Sequence, residues 1–274
     1  MNIAVDLGGT NIRVAAVENG VIQKYICEDC KSGSSEQEVI DHLKGMINAM
    51  PLKEARGIGI GVPSIVDTKN GIVYDVTGIP SWKEVHLKEI LEKTFGLPVC
   101  VNNDCNCFAL GVCRFGEGKG FKEIVCVTLG TGVGGSLVVD GKLYEGNNTG
   151  AGEIGSVQYL DKDYEFYCSS RFFVSRGTTG KEANIKAIAG DRSAIALWNE
   201  FGSHIGELVK LIMFTYDPAA IVFGGSIASA YNLFESSMRK SIDTFPYKNS
   251  ISRLMVCTST LESPGILGAS LLCS

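Results

Sequence analysis

The chain has 274 residues, 45% of them apolar and 20% charged, which is ordinary for a globular protein and enough for a buried core. No apolar run is long enough to cross a bilayer, and a net charge of −5 without a Lys/Arg block disfavours nucleic-acid binding. The N-terminus lacks the features of a secretory signal. We therefore expect a soluble cytoplasmic protein that binds small molecules, with neither membrane nor nucleic acid as partner.

Ten cysteines in a chain without a signal are typical of reduced thiols rather than of a disulfide framework. Cys27 and Cys30 have C-x-x-C spacing, but no second pair with metal-ligand spacing follows them. We assign this pair no metal or redox role. The cysteines in apolar stretches are interpreted as small core residues.

The first half of the chain alternates strands with helices. Strands are predicted over residues 3–6, 11–17 and 21–25, and Asn19-Gly20 supplies the turn of the second hairpin. Ser35 and Glu38 have the spacing of a capping box that opens a helix. A strand at 57–62, a helix at 86–95 closed by Gly96, a strand at 99–101 and a helix from about Asp104 follow.

From Lys122 the same order begins again. The segments IAVDLGGTNIRVAAVENGVI and VCVTLGTGVGGSLVVDGKLY share a plan of strand, glycine turn, strand, two-residue turn and strand, which indicates an internal duplication. A helix at 193–214, a strand at 219–223, a helix from about Ser226, a strand at 253–257 and a helix from about Gly265 complete the chain. The pattern predicts an α/β fold in two related halves, with a boundary near Asn103.

The opening MNIAVDLGGTNIR places Asp6 at the end of an apolar strand, before Gly8 and Gly9. The glycines permit phosphate to approach the backbone, and Thr10 can donate a hydrogen bond to it. Asp6 would repel phosphate, but it suits a hydrated Mg²⁺ that bridges phosphate oxygens. The alternative is a hairpin whose glycines serve only the turn and whose Asp caps a backbone N–H.

Two further glycine clusters follow apolar strands. Gly130-Thr131-Gly132 faces the first cluster in the duplicated plan, so the two predict a clamp for a polyphosphate. Gly224-Gly225 would let an adenine or ribose lie against the backbone. None of them is a Walker-type loop, which requires Gly-Lys-Ser/Thr.

Polar residues between these clusters are candidates for acceptor binding. In CVNNDCNCFALG, Asp104 either caps the next helix or accepts the proton of a substrate hydroxyl during phosphoryl transfer, with Asn103 holding a neighbouring hydroxyl. In NTGAGEIGS, Glu153 is either a solvated loop charge or a carboxylate that accepts from two hydroxyls. We favour a sugar as its ligand.

With these motifs in order, the chain resembles the ROK family of sugar kinases and sugar-responsive repressors, within the sugar kinase, actin and Hsp70 ATPase superfamily. The resemblance covers essentially the whole chain. Its motifs are DLGGTN at 6–11, GIGVP at 59–63, NND at 102–104, TLGTGVGG at 128–135, GAGEIG at 150–155, DPAAIVFGGSI at 217–227 and PGILGAS at 264–270. It implies a two-domain ribonuclease-H-like fold. Residues 1–103 plus 265–274 would form the smaller N-terminal domain and 104–264 the larger C-terminal one, with the active-site cleft between them.

The resemblance also implies ATP-dependent phosphorylation of a hexose or N-acetylhexosamine, of the glucokinase or N-acetylmannosamine kinase type. Carried over by position, Asp104 is the general base, Asn103, Asp104 and Glu153 bind the sugar, and Asp6 holds Mg²⁺ through water. The cofactor-binding residues are Asp6, Gly8, Gly9, Thr10, Asn11, Gly130, Thr131, Gly132, Gly224 and Gly225. ATP and Mg²⁺ are the implied cofactors, and because relatives are often dimers, a homodimer is expected.

Several positions depart from the family pattern. Ser156 stands where relatives have the histidine of GEIGH, and Cys168 alone remains of their CxCGxxGCxE motif, so no structural zinc is expected because one thiolate cannot supply a tetrahedral site. Arg171 stands near the glutamate that ends that motif. Gly78, in TGIPSW, stands about where relatives carry a sugar-binding Asn. These changes leave the acceptor sugar undetermined.

The alternative function is a non-catalytic sugar- or nucleotide-binding regulator of the same family, because the sugar side is altered while the nucleotide side is intact. Repressors of the family carry an N-terminal helix-turn-helix, whereas here the first residue all but starts a strand, so DNA binding is not expected. Asp6 and Asp104 together favour the kinase, since phosphoryl transfer requires both the phosphate-side and the acid–base groups.

Overall fold

A computed structural model describes residues 1–76 and 78–273 and confirms the α/β class. Thr77 of the TGIPSW loop and Ser274, the end of the predicted N-terminal domain, lie outside these ranges. The chain forms two compact units, which we call unit 1 (Met1–Lys119, Glu145–Ala151 and Thr260–Ser274) and unit 2 (Gly120–Tyr144 and Gly152–Ser259). No helix in the described part of the chain is long and apolar enough to span a membrane.

The strands and helices are bounded as follows. The strands are β1 (Asn2–Leu7), β2 (Asn11–Glu18), β3 (Val21–Asp29), β4 (Ile58–Val62), β5 (Ile65–Asp67), β6 (Ile72–Tyr74), β7 (Glu84–Val85), β8 (Val99–Asn103), β9 (Ile124–Leu129), β10 (Val133–Val139), β11 (Lys142–Leu143), β12 (Gln158–Tyr159), β13 (Lys162–Asp163), β14 (Ala220–Gly224) and β15 (Met255–Thr258). The helices are α1 (Glu36–Asn48), α2 (Leu87–Phe95), α3 (Asp104–Phe115), α4 (Tyr164–Cys168), α5 (Ser170–Val174), α6 (Gly180–Ile188), α7 (Arg192–Thr215), α8 (Tyr231–Ile242), α9 (Lys248–Ile251) and α10 (Pro264–Ala269).

Unit 1 is built on a five-stranded sheet of order β3-β2-β1-β4-β8. Its first three strands are antiparallel, and β4 and β8 continue it in parallel from β1. Alternate residues of β1 face opposite sides, because side chains alternate along a strand. Ile3 and Val5 join a core that includes Val39 and Leu43 of α1, whereas Ala4 packs with residues of α3 and α10.

Helices α3 and α10 pack closely in unit 1, and this contact explains why the unit boundaries differ from the predicted boundary at Asn103. A Cβ at Gly111 would collide with the carbonyl of Pro264, and one at Gly268 with that of Cys107. The helix that follows Asn103 therefore belongs with the C-terminal helix in unit 1, not with the strands after Lys119.

Unit 2 repeats the sheet plan, with a five-stranded sheet of order β11-β10-β9-β14-β15. Again three antiparallel strands are followed by two parallel ones. The core on one face includes Val127 and Phe223 of the sheet, Phe201 of α7 and Phe234 of α8. The two sheets share strand order and direction, so the predicted internal duplication is confirmed at the level of topology.

Short-range sequence signals are confirmed in most elements. Asn19 and Gly20 both have positive φ, Ser35 and Glu38 form a reciprocal capping box, and α2 ends on left-handed Gly96. The helix predicted from about Ser226 instead begins at Tyr231, because the chain turns at Gly225 (φ 86°) and the N–H of Ile227 donates to the carbonyl of Leu129.

The expectation of ten reduced cysteines is wrong for one pair. Cys100 of β8 and Cys273 form a disulfide across 173 positions of sequence, with 5.8 Å between their Cα atoms. This pairing cannot be inferred from spacing, because it depends on the C-terminal segment returning to the sheet of unit 1. The other eight cysteines, which include Cys27 and Cys30, form no disulfide.

Candidate functional site

The first glycine cluster forms the connection between β1 and β2 in unit 1. The N–H of Gly8 donates to the carbonyl of Asn11 over 2.9 Å, and the carbonyl of Thr10 accepts from Cys30 over 2.8 Å, while the Thr10 side chain is exposed. Gly9 lies against Gly78, since a Cβ on Gly9 would come within 2.9 Å of the Gly78 Cα. The first cluster is thus a closed turn with an exposed hydroxyl, and the altered loop at Gly78 supports it.

Gly78 itself has φ of 86° and the same contact with Gly9, so a side chain would be strained there. This contact leaves no room for a side chain at residue 78. Trp82, later in the same loop, is fully buried, and its indole N–H donates to the carbonyl of Glu36 over 3.4 Å. It therefore packs the core of unit 1.

Asp6 forms an ion pair with Arg13 on the neighbouring strand, with 2.9 Å between Oδ2 and Nη1. Its side chain is 27% exposed, so the carboxylate is reachable from solvent. Within residues 1–76 and 78–273, no group of three or more His, Cys, Asp and Glu side chains could hold a metal ion. A single carboxylate fits a Mg²⁺ held mainly by water and phosphate oxygens, and not one held by a protein cage.

Asn103 and Asp104 lie where β8 passes into α3. Asn103 is the N-cap, because its Oδ1 accepts from the N–H groups of Cys105 (2.8 Å) and Asn106 (3.4 Å), and its Nδ2 donates to the carbonyl of Ser64 over 3.1 Å. Asp104 is the first helical residue, and its Oδ1 accepts from the N–H of Cys105 over 2.8 Å. The capping role considered for Asp104 therefore belongs mainly to Asn103.

Asn102 and Glu145 contribute to this region although neither was singled out from the sequence. Asn102 is buried, its Nδ2 donates to Glu145 Oε1 over 2.7 Å, and its Oδ1 accepts from the Asn103 N–H and from Asn106 Nδ2, each over 2.8 Å. This network fixes the backbone at Asn103 and Asp104. The asparagines of NND were a signal in the sequence that this turn is polar. Glu145, the partner of Asn102, lies 43 residues farther along the chain and could not be inferred from that motif.

The buried thiol of Cys107 shows that two of the predicted carboxylates share one region of unit 1. Burial raises its pKa well above the usual range, and the negative charges of Asp104 and Asp6 raise it further. Cys107 therefore stays a neutral core thiol. The same charges place Asp6 and Asp104 near a common point in this unit.

The second and third glycine clusters both lie in unit 2. The turn at residues 130–132, which we call the 130–132 turn, is closed by the Gly130 N–H donating to the Gly132 carbonyl over 3.0 Å, and Thr131 is exposed. A Cβ at Gly130 would meet only Ser226 Oγ, at 3.8 Å. Packing within the protein therefore does not require glycine at position 130. A glycine at such a position is consistent with a ligand that approaches the backbone closely. Gly224 ends β14 beside Thr128 of β9.

Glu153 follows left-handed Gly152 and precedes a short 3-10 helix at Ile154–Ser156. Partial burial raises the pKa of its carboxyl, and the negative charge of Glu165 raises it further. Two carboxylates therefore lie near each other in unit 2. Glu165 was not singled out from the sequence, since a short helix with no motif carries it.

The remains of the zinc motif lie in the same unit. Cys168 is fully buried in the core and burial raises its thiol pKa, while Arg171 pairs with Glu165 over 2.9 Å. Aromatic residues occupy this region instead, with Tyr159 stacked on Tyr164 at 4.3 Å between ring centroids. Side chains of residues 157–174 pack into the core of unit 2, and this packing holds the segment in place.

Comparison with known proteins identifies the family. The sequence profile described as the ROK family matches residues 2–274. Glucokinase of Thermotoga maritima is 30% identical over 97% of this chain and 95% of its own, and the xylose repressor of Bacillus spizizenii is 26% identical over 90% and 69%. A ROK family glucokinase from Streptomyces griseus, solved with glucose and AMPPNP, matches with a TM-score of 0.85 and 26% identity over 98% of this chain and 97% of its own. The fold is thus of the actin, hexokinase and Hsp70 ATPase type.

Proposed function

Because the chain belongs to the ROK family, we propose that it transfers the γ-phosphoryl group of ATP to a hydroxyl of a hexose or N-acetylhexosamine. The chain is similar over nearly its whole length to a glucokinase. A bound ATP with Mg²⁺ would supply the phosphoryl group and neutralise its charge. The residues of this chain would orient the acceptor, accept its proton and bind the phosphates.

The position of Asp104 is the observation that carries the proposal. Asn103 already caps α3, so the helix does not require a carboxylate at residue 104 as its cap. A carboxylate held at the end of β8 by the network of Asn102 and Asn103 is suited to accept a hydroxyl proton. Asn103 retains one amide N–H for a neighbouring hydroxyl, because its Oδ1 already accepts from Cys105 and Asn106 and its other N–H donates to Ser64.

The other proposed roles follow from the surroundings of each residue. In unit 1, Asp6 would hold Mg²⁺ through water, and the turn of Gly8, Gly9, Thr10 and Asn11 would contact phosphate through the Thr10 hydroxyl. In unit 2, the 130–132 turn would bind phosphate, Glu153 would accept from sugar hydroxyls, and Gly224-Gly225 would contact the nucleoside. Glu153, whose carboxyl pKa is raised by burial and by the charge of Glu165, would accept these hydrogen bonds most strongly in its ionised form.

The test is ADP release from ATP by the purified chain, with and without Mg²⁺, across glucose, mannose, allose, fructose, N-acetylglucosamine and N-acetylmannosamine. We expect Mg²⁺-dependent turnover with at least one of these sugars. If ATP and a sugar bind but no sugar is phosphorylated, the protein is instead a ligand-binding regulator, in line with its similarity to a repressor.

A further inference from the structure

The side chain of Asn102 joins the two sides of the turn between β8 and α3. Its Oδ1 accepts from the N–H of Asn103, at the end of β8, and from Nδ2 of Asn106, in the first turn of α3, each over 2.8 Å. Asp104 lies between these two donors in the chain. The Asn102 amide therefore connects strand and helix on both sides of the proposed general base.

The orientation of this amide depends on its hydrogen-bond partners. The oxygen and the NH₂ group of an asparagine side chain have nearly the same shape, but one only accepts and the other only donates. An ionised carboxylate accepts and cannot donate, so Glu145 Oε1 requires the NH₂ group of Asn102, which donates to it over 2.7 Å. The oxygen of Asn102 then faces the two donors of the turn.

Burial of Asn102 makes the bond to Glu145 important for this orientation. Asn102 is 4% exposed, whereas Glu145 is an exposed residue that reaches the amide from the segment Glu145–Ala151. An interior N–H group without an acceptor is unfavourable, so an amide that lost Glu145 would rotate toward another acceptor or toward water. Such a rotation would take Oδ1 away from Asn103 and Asn106.

We infer that Glu145 is a positioning residue that acts on Asp104 through Asn102, by holding the Asn102 amide in the orientation that connects β8 to α3. This inference rests on the proposed function, because the alignment of Asp104 affects catalysis only if its carboxylate accepts the proton of the acceptor hydroxyl. The contribution of Glu145 is the hydrogen bond that it accepts. A neutral acceptor at the same place should therefore replace it.

The competing explanation is a tether, in which Glu145 holds its own segment rather than the turn. The segment Glu145–Ala151 leads directly into Gly152 and Glu153, and Glu153 is a proposed sugar ligand. If Glu145 is only a tether, loss of its carboxylate loosens this segment and raises the dissociation constant of the sugar. The kcat for bound sugar would then be retained.

A positioning role predicts a different kinetic effect. The side chain of Asn103 keeps its hydrogen bonds with Cys105 and Ser64 when the neighbouring amide rotates, so sugar affinity should change little. The carboxylate of Asp104 loses its alignment with the reacting hydroxyl, and small misplacements of reacting groups reduce rates strongly. Loss of Glu145 should therefore lower kcat.

The test measures kcat and the sugar dissociation constant for the full chain and for Glu145→Ala, Glu145→Gln, Asn102→Ala and the double alanine variant. We expect Glu145→Ala to lower kcat by about tenfold or more and to change the dissociation constant by less than about threefold. Glu145→Gln keeps an acceptor oxygen and should retain most of kcat. The double variant should match Asn102→Ala, because Glu145 acts only through that amide.

The matched control is Asp41→Ala on α1, which removes a bond of the same kind, from Gln37 Nε2 to Asp41 Oδ1 over 2.9 Å. It should leave kcat and the dissociation constant unchanged. Thermal unfolding of each variant identifies any loss of folding.

A second measurement does not depend on turnover. Amide hydrogen exchange at Asn103 reports the bond that its N–H donates to Asn102 Oδ1. Exchange should be faster by about tenfold or more in Glu145→Ala. It should stay near the wild-type rate in Glu145→Gln and in Asp41→Ala.

An equal loss of kcat in Glu145→Gln and Glu145→Ala would overturn the inference, because the charge and not the hydrogen bond would then matter. A raised dissociation constant with unchanged kcat would establish the tether instead, and unchanged exchange at Asn103 in Glu145→Ala would also overturn the inference. Faster exchange in a protein that phosphorylates no sugar would support the hold of Glu145 on this turn and count against the kinase. Sugar phosphorylation with wild-type kcat in Glu145→Ala would leave the kinase standing and remove the positioning role.

Discussion

At the scale of single residues, Glu153 links the electrostatics of unit 2 to sugar binding. Its carboxyl pKa is raised by burial and by the charge of Glu165. If the ionised form accepts from sugar hydroxyls, the sugar dissociation constant should rise as the pH falls, with a midpoint above the ordinary value of 4.5. Sugar binding measured by calorimetry between pH 4.5 and 8 checks this.

Two variants distinguish this effect on sugar binding from unfolding of the protein at low pH. Glu165→Gln should move the midpoint to lower pH, because one of the causes of the shift is removed, and Glu153→Gln should abolish it. An unchanged midpoint in Glu165→Gln would contradict the coupling.

Gly130 offers a second residue-scale prediction, because its backbone is open to a ligand. Gly130→Ala should leave the free energy of unfolding unchanged or raise it by up to about 1 kcal/mol, since the added Cβ meets nothing closer than 3.8 Å. It should weaken AMPPNP binding by about tenfold, or ~1.4 kcal/mol. Chemical denaturation and calorimetry measure the two effects.

Gly135→Ala is the matched control on the adjacent strand. There the Cβ would meet the Gly152 carbonyl oxygen at 2.6 Å and Ile154 Cδ1 at 2.8 Å, so stability should fall. Equal nucleotide affinity in wild type and Gly130→Ala would argue against phosphate contact at this turn.

The sequence predicted which residue types meet at the end of β8 but not how they divide their roles. A helix cap can be assigned from sequence only to within a residue or two, and Asn103 and Asp104 are both good caps. The contact of Asn102 with Glu145 requires the segment Glu145–Ala151 to return to unit 1, which no local pattern encodes.

At the scale of elements, helix α7 holds the segment that replaces the zinc motif. The Tyr159 hydroxyl and His204 Nδ1 lie 3.1 Å apart, and the His204 ring packs edge-on against Phe172 at 5.7 Å between centroids. Burial is the largest cause of the lowered pKa of His204, so the folded protein disfavours the protonated imidazole.

This burial predicts a pH dependence of stability. As the pH falls through the ordinary histidine value of 6.5, the unfolded chain takes up a proton that folded His204 resists, so folding stability is lost. Between about pH 6.5 and 5, the free energy of unfolding should therefore fall more steeply in wild type than in His204→Gln. Urea denaturation across this range tests it, and parallel curves for the two proteins would refute the assignment.

Elements with strong local signals were predicted within a few residues, and weaker ones were not. The capping box of α1 and the positive-φ turns act through neighbouring atoms, so the sequence contains their cause. Strand β10 begins at Val133, within the predicted glycine turn, since Gly134 and Gly135 pair with Thr128 and Val127 of β9. In the sequence, a glycine required by close packing in a strand cannot be distinguished from a glycine required by a turn. The partner strand must be known to tell them apart.

At the scale of the whole molecule, the disulfide between Cys100 and Cys273 joins the last residues of the chain to the sheet of unit 1. Because it closes a loop of 173 positions, its reduction should lower the free energy of unfolding by about 2–4 kcal/mol. Dithiothreitol should lower the unfolding midpoint of wild type but not that of Cys273→Ser. Detection of ten free thiols in the unreduced, denatured protein would contradict the pairing.

The duplicated topology gives each unit a glycine turn after its first strand, and this arrangement was visible in the sequence as a repeated motif order.

The central claim is that Asp104 accepts the proton of the sugar hydroxyl during phosphoryl transfer. The most direct measurement is formation of sugar phosphate from Mg²⁺-ATP by wild type, Asp104→Asn and the exposed control Asp41→Asn, with sugar affinity measured alongside. We predict that Asp104→Asn lowers turnover by about 10²-fold or more while sugar affinity changes little, and that Asp41→Asn matches wild type. Wild-type turnover in Asp104→Asn would contradict the account.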